Sequence, residues 1–235
     1  MLFRALIPLS MLLAVASAHT ILTNIITDKN YGYGKCIRPY WKNPNYPVND
    51  VTSPDLTCRS SDMDPAHTDY CPVAAGSNMT VEWHRNKKMD PNDVISASHY
   101  GSCVVYMAPM VPKGGTPKFF KIFESGYDTS TKQWCTTKLI ANKGKLDIKI
   151  PSKLLAGKYL MRTELIALHG ARVEGQTQFF PNCVQLEVTG GGKSVPDGVT
   201  FPGYYKSTDP GILYKGGKNG QNYVIPGPAV EFAGK

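Results

Sequence analysis

Apolar and polar residues alternate with period two in several short stretches of this chain. Val81 and Trp83 alternate with Thr80, Glu82 and His84; Leu146, Ile148 and Ile150 with Asp147 and Lys149; Val184, Leu186 and Val188 with Gln185 and Glu187. Successive side chains of a strand point to opposite faces, so each stretch predicts a half-buried antiparallel strand. Residues 103–107, 118–123 and 158–165 are further strand candidates, and helical spacing is weak throughout. The 22 glycines and 18 prolines fall between these segments, where turns belong in an all-β chain. The pattern predicts an all-β fold, an immunoglobulin/fibronectin-like antiparallel β-sandwich.

Two regions carry no clean strand pattern. Residues 28–70 hold Gly32, Gly34 and five prolines among several tyrosines, and the tail from residue 190 to 235 is similarly rich in Gly, Pro and Tyr. A domain seldom keeps such loops without a use for them. Long aromatic loops on a rigid sandwich predict a flat contact face on which tyrosines stack against sugar rings. The alternative is that the rings pin the loops to the sandwich.

The amino terminus changes the picture. Arg4 is followed by a short apolar run and then Ala16-Ser17-Ala18, the small-x-small pattern of a signal-peptidase site. Residues 1–18 are therefore read as a signal peptide, too short to span a bilayer stably. Residues 19–235 are read as one domain without a separate carbohydrate-binding module, and the protein as secreted, extracellular and monomeric. Cleavage removes one positive charge from a formal surplus of +8. The lysines are scattered, with no arginine-rich helix, so neither nucleic acid nor membrane is an expected partner. Asn78-Met79-Thr80 is an N-glycosylation sequon.

Six cysteines, Cys36, Cys58, Cys71, Cys103, Cys135 and Cys183, predict three disulfides in an exported chain, and their connectivity is open. Of the 5 histidines, His84 lies in a strand pattern and His67 in a polar loop beside Asp64 and Asp69; both read as structural or exposed. His19 differs. Cleavage would give it a free amine beside its imidazole, two nitrogens in one chelate. With a second imidazole these donors suit copper.

The remaining segments carry a resemblance. Ser98-His99-Tyr100-Gly101 running into Val104-Val105-Tyr106-Met107-Ala108-Pro109, Gln178-Phe179-Phe180-Pro181-Asn182-Cys183, Phe201-Pro202-Gly203-Tyr204-Tyr205 and Ile225-Pro226-Gly227-Pro228 stand in one order. Together with Tyr159 through His169, they resemble the fungal lytic polysaccharide monooxygenases of auxiliary activity family 9. The similarity covers essentially residues 19–230. It implies one copper ion held in a histidine brace by His19 and His99, with His169 and Gln178 hydrogen-bonding the oxygen species. It also implies Tyr205, Tyr223, Tyr31 and Tyr33 on the substrate face. It pairs Cys58 with Cys183 and leaves the partners of Cys36, Cys71, Cys103 and Cys135 open, Cys36–Cys71 with Cys103–Cys135 being one arrangement. The implied activity is oxidative cleavage of β-1,4-glucan, cellulose or associated hemicellulose, at C1 and/or C4, with an external electron donor and O2 or H2O2. One position departs from the family. Where it usually has an axial tyrosine, this chain has Phe180, which offers no ligand atom. A relative that binds copper and wall polysaccharide with weak or no cleavage is the alternative.

Overall fold

The computed structural model describes residues 20–40, 45–60 and 62–232. The alternating stretches form strands. In chain order these are β1 Ile21–Ile26, β2 Cys71–Ala74, β3 Asn78–His84, β4 Gly101–Pro109, β5 Phe120–Ser125, β6 Tyr127–Asp128 and β7 Gln133–Trp134, then β8 Lys145–Lys149, β9 Gly157–Ala167 and β10 Gln178–Thr189. One helix, α1 Cys135–Ala141, interrupts them. Periodicity did not predict β1, β2, β6, β7 or α1. In β1 the polar Thr23 and Asn24 stand side by side between apolar pairs, which breaks the alternation, and the others are too short to show a period.

Two sheets pack face to face. One has the order β1-β3-β8; the other has the order β2-β10-β9-β4-β5, with β2 parallel to β10 and the remaining pairs antiparallel. This is a β-sandwich, as the alternation implies. Leu22, Ile25, Met79, Val81, Trp83 and Ile148 from the smaller sheet meet Val105, Met107, Met161, Leu165, Phe180 and Val184 from the larger. The larger sheet is also covered on its outer face. There Val104, Tyr106, Leu160, Ile166 and Phe179 lie beneath Val48, Leu56, Phe201, Tyr205, Ile212 and Tyr214 of the loops. Burial on both faces explains the near-continuous apolar run of β4.

The 28–70 loop closes a sheet edge. Val48 exchanges two 2.8 Å backbone hydrogen bonds with Phe179, and the Arg38 N–H donates to the Cys183 carbonyl at 2.8 Å. The unpaired flank of β10 is thereby satisfied and shielded. Disulfides join Cys36 to Cys71, Cys58 to Cys183 and Cys103 to Cys135. They tie this loop to β2 and β10, and β4 to the start of α1. Asn78 is exposed at the start of β3. Among the described residues no helix is long and apolar enough to cross a membrane.

Candidate functional site

Antiparallel register brings three distant residues to one end of the larger sheet. Gly101 of β4 and Gln178 of β10 both pair with Ala167, the last residue of the central strand β9. His99 therefore enters β4, His169 follows β9 and Gln178 opens β10, all at one rim. The approach is close. A Cβ on Gly101 would stand 1.8 Å from the Ile166 carbonyl oxygen, so only glycine fits two residues after His99. The Leu168 N–H donates to the Tyr100 carbonyl at 2.9 Å and extends the pairing beyond both strands.

His99 is buried, with Nδ1 3.0 Å from the Ser98 hydroxyl. Its ring centroid lies 4.0 Å from that of His169, the planes tilted by 41°. His169 is exposed as a residue, while desolvation of its imidazole lowers its pKa and favours the neutral ring. The Gln178 side-chain oxygen is buried and has no hydrogen-bond partner among the described residues. A buried orphan acceptor is costly and calls for an explanation. Phe180 is fully buried, its ring 6.5 Å from that of His99.

Thr20, the first described residue, is held nearby by a residue that the sequence did not single out. The Arg59 guanidinium lies 5.5 Å over the Phe180 ring, donates to the Thr20 carbonyl at 3.1 Å and also donates to the Tyr46 carbonyl. Thr20 is further anchored by its hydroxyl, which donates to the Val94 carbonyl at 2.9 Å. His19, one residue earlier, lies outside the described residues, as do residues 1–18, the expected signal peptide. Arg59 is an arginine after a cysteine in an irregular loop, and no spacing marks it.

The four tyrosines expected on the contact face separate. Tyr223 belongs to this end: its hydroxyl is 2.8 Å from that of Ser102 in β4, and its ring meets Trp134 edge-on at 4.8 Å. Tyr205 is a correction. It is only 3% exposed, and its hydroxyl reaches the Tyr106 hydroxyl at 2.9 Å and Glu164 at 3.0 Å, inside the outer core. A buried phenol needs such partners, and taking them turns the ring away from any ligand on the surface. Tyr31 is a second correction, for its hydroxyl faces the Pro72 carbonyl in β2, which pairs with the far end of β10. Tyr33 is exposed on a loop tied to Thr23 of β1 through Gly34. His84 is buried between the Asp90 carbonyl and Glu82, and His67 pairs with Asp62 in a surface loop.

Two imidazoles and an unpartnered amide, beside a pinned Thr20, make an arrangement that can be set against known proteins. Residues 19–223 match the family model described as Auxiliary Activity family 9 (formerly GH61). The chain belongs to that family. It is 44% identical over 220 residues to AA9 family lytic polysaccharide monooxygenase A of Aspergillus niger, covering 92% of this chain and 53% of the relative. AA9 family lytic polysaccharide monooxygenase B of Emericella nidulans is 43% identical over 219 residues, covering 92% of this chain and 60% of the relative. The chain thus spans somewhat over half the length of these curated relatives. Among solved structures, CvAA9A superposes with a TM-score of 0.82 at 37% identity, covering 90% of this chain and 97% of that one. A cellulose-active polysaccharide monooxygenase from M. thermophila superposes with a TM-score of 0.72 at 28% identity, covering 90% of this chain and 98% of that one.

Proposed function

We propose that this AA9 chain is a secreted, copper-dependent lytic polysaccharide monooxygenase that oxidatively cleaves β-1,4-glucan, cellulose or associated hemicellulose, at C1 and/or C4. It would use an external electron donor with O2 or H2O2. The observation that carries the reading is the convergence of His99, His169 and the orphan Gln178 oxygen at the rim where Arg59 holds Thr20.

The residues fit a single copper ion. Among the described residues no group of three or more His, Cys, Asp and Glu side chains could hold a metal. His99 would supply one imidazole, and the amine and ring of His19, once signal cleavage frees them, would complete a nitrogen set of the kind copper favours. Copper supplies the one-electron chemistry with O2 or H2O2 that amino-acid side chains lack. The chain's own groups do the rest. Gln178 offers a buried acceptor beside His99, and His169 a neutral imidazole that can hold or pass a proton at a ring nitrogen. These groups orient the oxidant in the way outer-sphere donors tune metal sites. Tyr223 presents a ring at the same end for a sugar to lie against. No pair of carboxylates is needed, unlike in hydrolytic glycosidases. Residues 1–18 act as the signal peptide, 19–235 as one catalytic domain, and the secreted form as a monomer.

Phe180 supports a second reading, a copper- and wall-binding relative with weak turnover, because a phenyl ring stands where an axial phenol is expected. One experiment separates the two. The mature protein is loaded with copper and incubated with ascorbate and swollen cellulose, xylan or mixed glucan, and the soluble products are read by mass spectrometry. Aldonic acids or 4-keto sugars are the expected result. Bound copper without any oxidised oligosaccharide from any of these polymers overturns the first reading and leaves the second.

A further inference from the structure

On the outer face of the larger sheet, between the 54–60 segment and the 110–117 loop, lies a cavity of about 340 Å³. That volume is within the range of small-molecule sites, about 300–1,000 Å³. Met63, Met110, Leu160, Phe201 and Pro202 line it, and so does Arg38. Arg38 is only 2% exposed, yet among the described residues its Nε and Nη1 have no hydrogen-bond partner, and Nη2 meets only the Met110 sulfur at 3.8 Å. Thioether sulfur is a weak acceptor, so the guanidinium fork is unmet among those residues. A buried cation left unpaired is costly, and native folds rarely leave one without a use.

Nearby acids do not satisfy it. Asp62 accepts from His67 at 2.6 Å and from the Asp64 N–H at 2.8 Å; Asp64 accepts from the Ala66 N–H at 3.0 Å and pairs with Lys113 at 3.2 Å. Burial lowers the Arg38 pKa, and Tyr70, Asp62 and Asp64 oppose that only through space, without bonding to the guanidinium. Asp55 and Arg59 also line the cavity, and Arg59 donates to the Thr20 and Tyr46 carbonyls. The Arg38 backbone is fixed to Cys183, so the side chain cannot follow a main-chain shift out to water.

We propose that this cavity binds a small aromatic monocarboxylate, its carboxylate on the Arg38 fork and its ring among Met63, Met110 and Phe201. Guanidinium and carboxylate match as a two-pronged, charge-assisted pair. Thioether sulfurs and a phenyl edge favour an aromatic body over an aliphatic one. Arg59 lines the cavity and also holds Thr20 at the rim, but none of the lining residues is a proposed copper ligand, so binding here can be read without metal.

The test is a titration of the purified protein carrying 13C-methyl methionine, with benzoate as the probe and benzyl alcohol as its neutral counterpart. The Met63 and Met110 methyl signals are expected to shift saturably with benzoate and at least 10-fold more weakly with benzyl alcohol. In Arg38→Met the preference for benzoate disappears. Thr116→Trp, an exposed loop substitution at the cavity wall, blocks both probes while leaving Arg38 in place, and it serves if Arg38→Met does not fold. The absence of saturable shifts, equal response to the two probes, or unchanged benzoate binding in Thr116→Trp overturns the proposal.

Discussion

The two faces of the larger sheet are buried by different means. The inner face meets another sheet mostly through aliphatic, aromatic and sulfur side chains, including Met107, Met161, Leu165 and Val184, with Thr163 and Asn182 as uncharged polar exceptions. The outer face is closed by loops and contains charges. Arg162 and Glu164 are both fully buried and joined by two hydrogen bonds of 3.0 and 2.6 Å. Arg162 also donates to the Leu56 and Thr57 carbonyls, and its guanidinium lies 4.2 Å over Phe201. Glu164 continues through Tyr205 to Tyr106, while Lys121 donates to Glu124 at 2.7 Å and to the Pro226 carbonyl at 2.9 Å. Apolar packing is nondirectional and tolerates many partners. A loop has backbone carbonyls that need donors, and a satisfied polar network specifies where each loop lies.

This contrast can be broken most severely on the outer face. Arg162→Met strands the Glu164 carboxylate, and a loss of about 3–5 kcal/mol is expected from the chemical-denaturation midpoint. Arg162→Met combined with Glu164→Leu should recover a large part of that, since the pair is then replaced by apolar volume. If the double variant is as unstable as the single one, the network does more than satisfy its own charges. On the inner face, Leu165→Ala should cost about 2–5 kcal/mol, with no polar group left stranded and therefore no partner substitution that rescues it. The smallest effect is expected for Tyr205→Phe, which deletes one hydroxyl from between Tyr106 and Glu164: about 1–3 kcal/mol in thermal unfolding. The same variant should bind insoluble cellulose as tightly as the parent in a pull-down. Weakened binding with unchanged stability would return Tyr205 to the contact surface.

The candidate site was legible to different depths. His99 and Gln178 stood out only through the family resemblance that their flanking motifs, Ser-His-Tyr-Gly and Gln-Phe-Phe-Pro-Asn-Cys, carry. Both motifs lie at the rim, where geometry leaves little freedom. Gly101 illustrates why, since the Ile166 carbonyl occupies the space a side chain would need. Tyr205 was misplaced because a tyrosine in a Gly- and Pro-rich tail looks the same whether its ring faces out or in; the deciding partner, Glu164, lies 41 residues away. Arg59 and Arg38 were invisible for a similar reason. Each takes its meaning from loops that meet only in the folded chain: Thr20 and Tyr46 for Arg59, and Met110 for Arg38.

What the sequence determined by itself was local and periodic. The alternation in β3, β8 and β10 defined a sandwich, because a period of two can bury only one set of side chains against a facing sheet. The cysteine count implied three disulfides, and the motifs named the histidines and the glutamine. The resemblance paired Cys58 with Cys183, and the tertiary structure decided the partners of the other four cysteines. The tertiary structure alone showed that His99, His169 and Gln178 share one rim, that the outer face is closed by a buried ionic network, and that Arg38 faces a cavity. Those outcomes depend on strand register and loop closure between residues far apart in the chain. Such contacts leave no trace in composition or local pattern, because their energy is gained only when both partners have already been brought together.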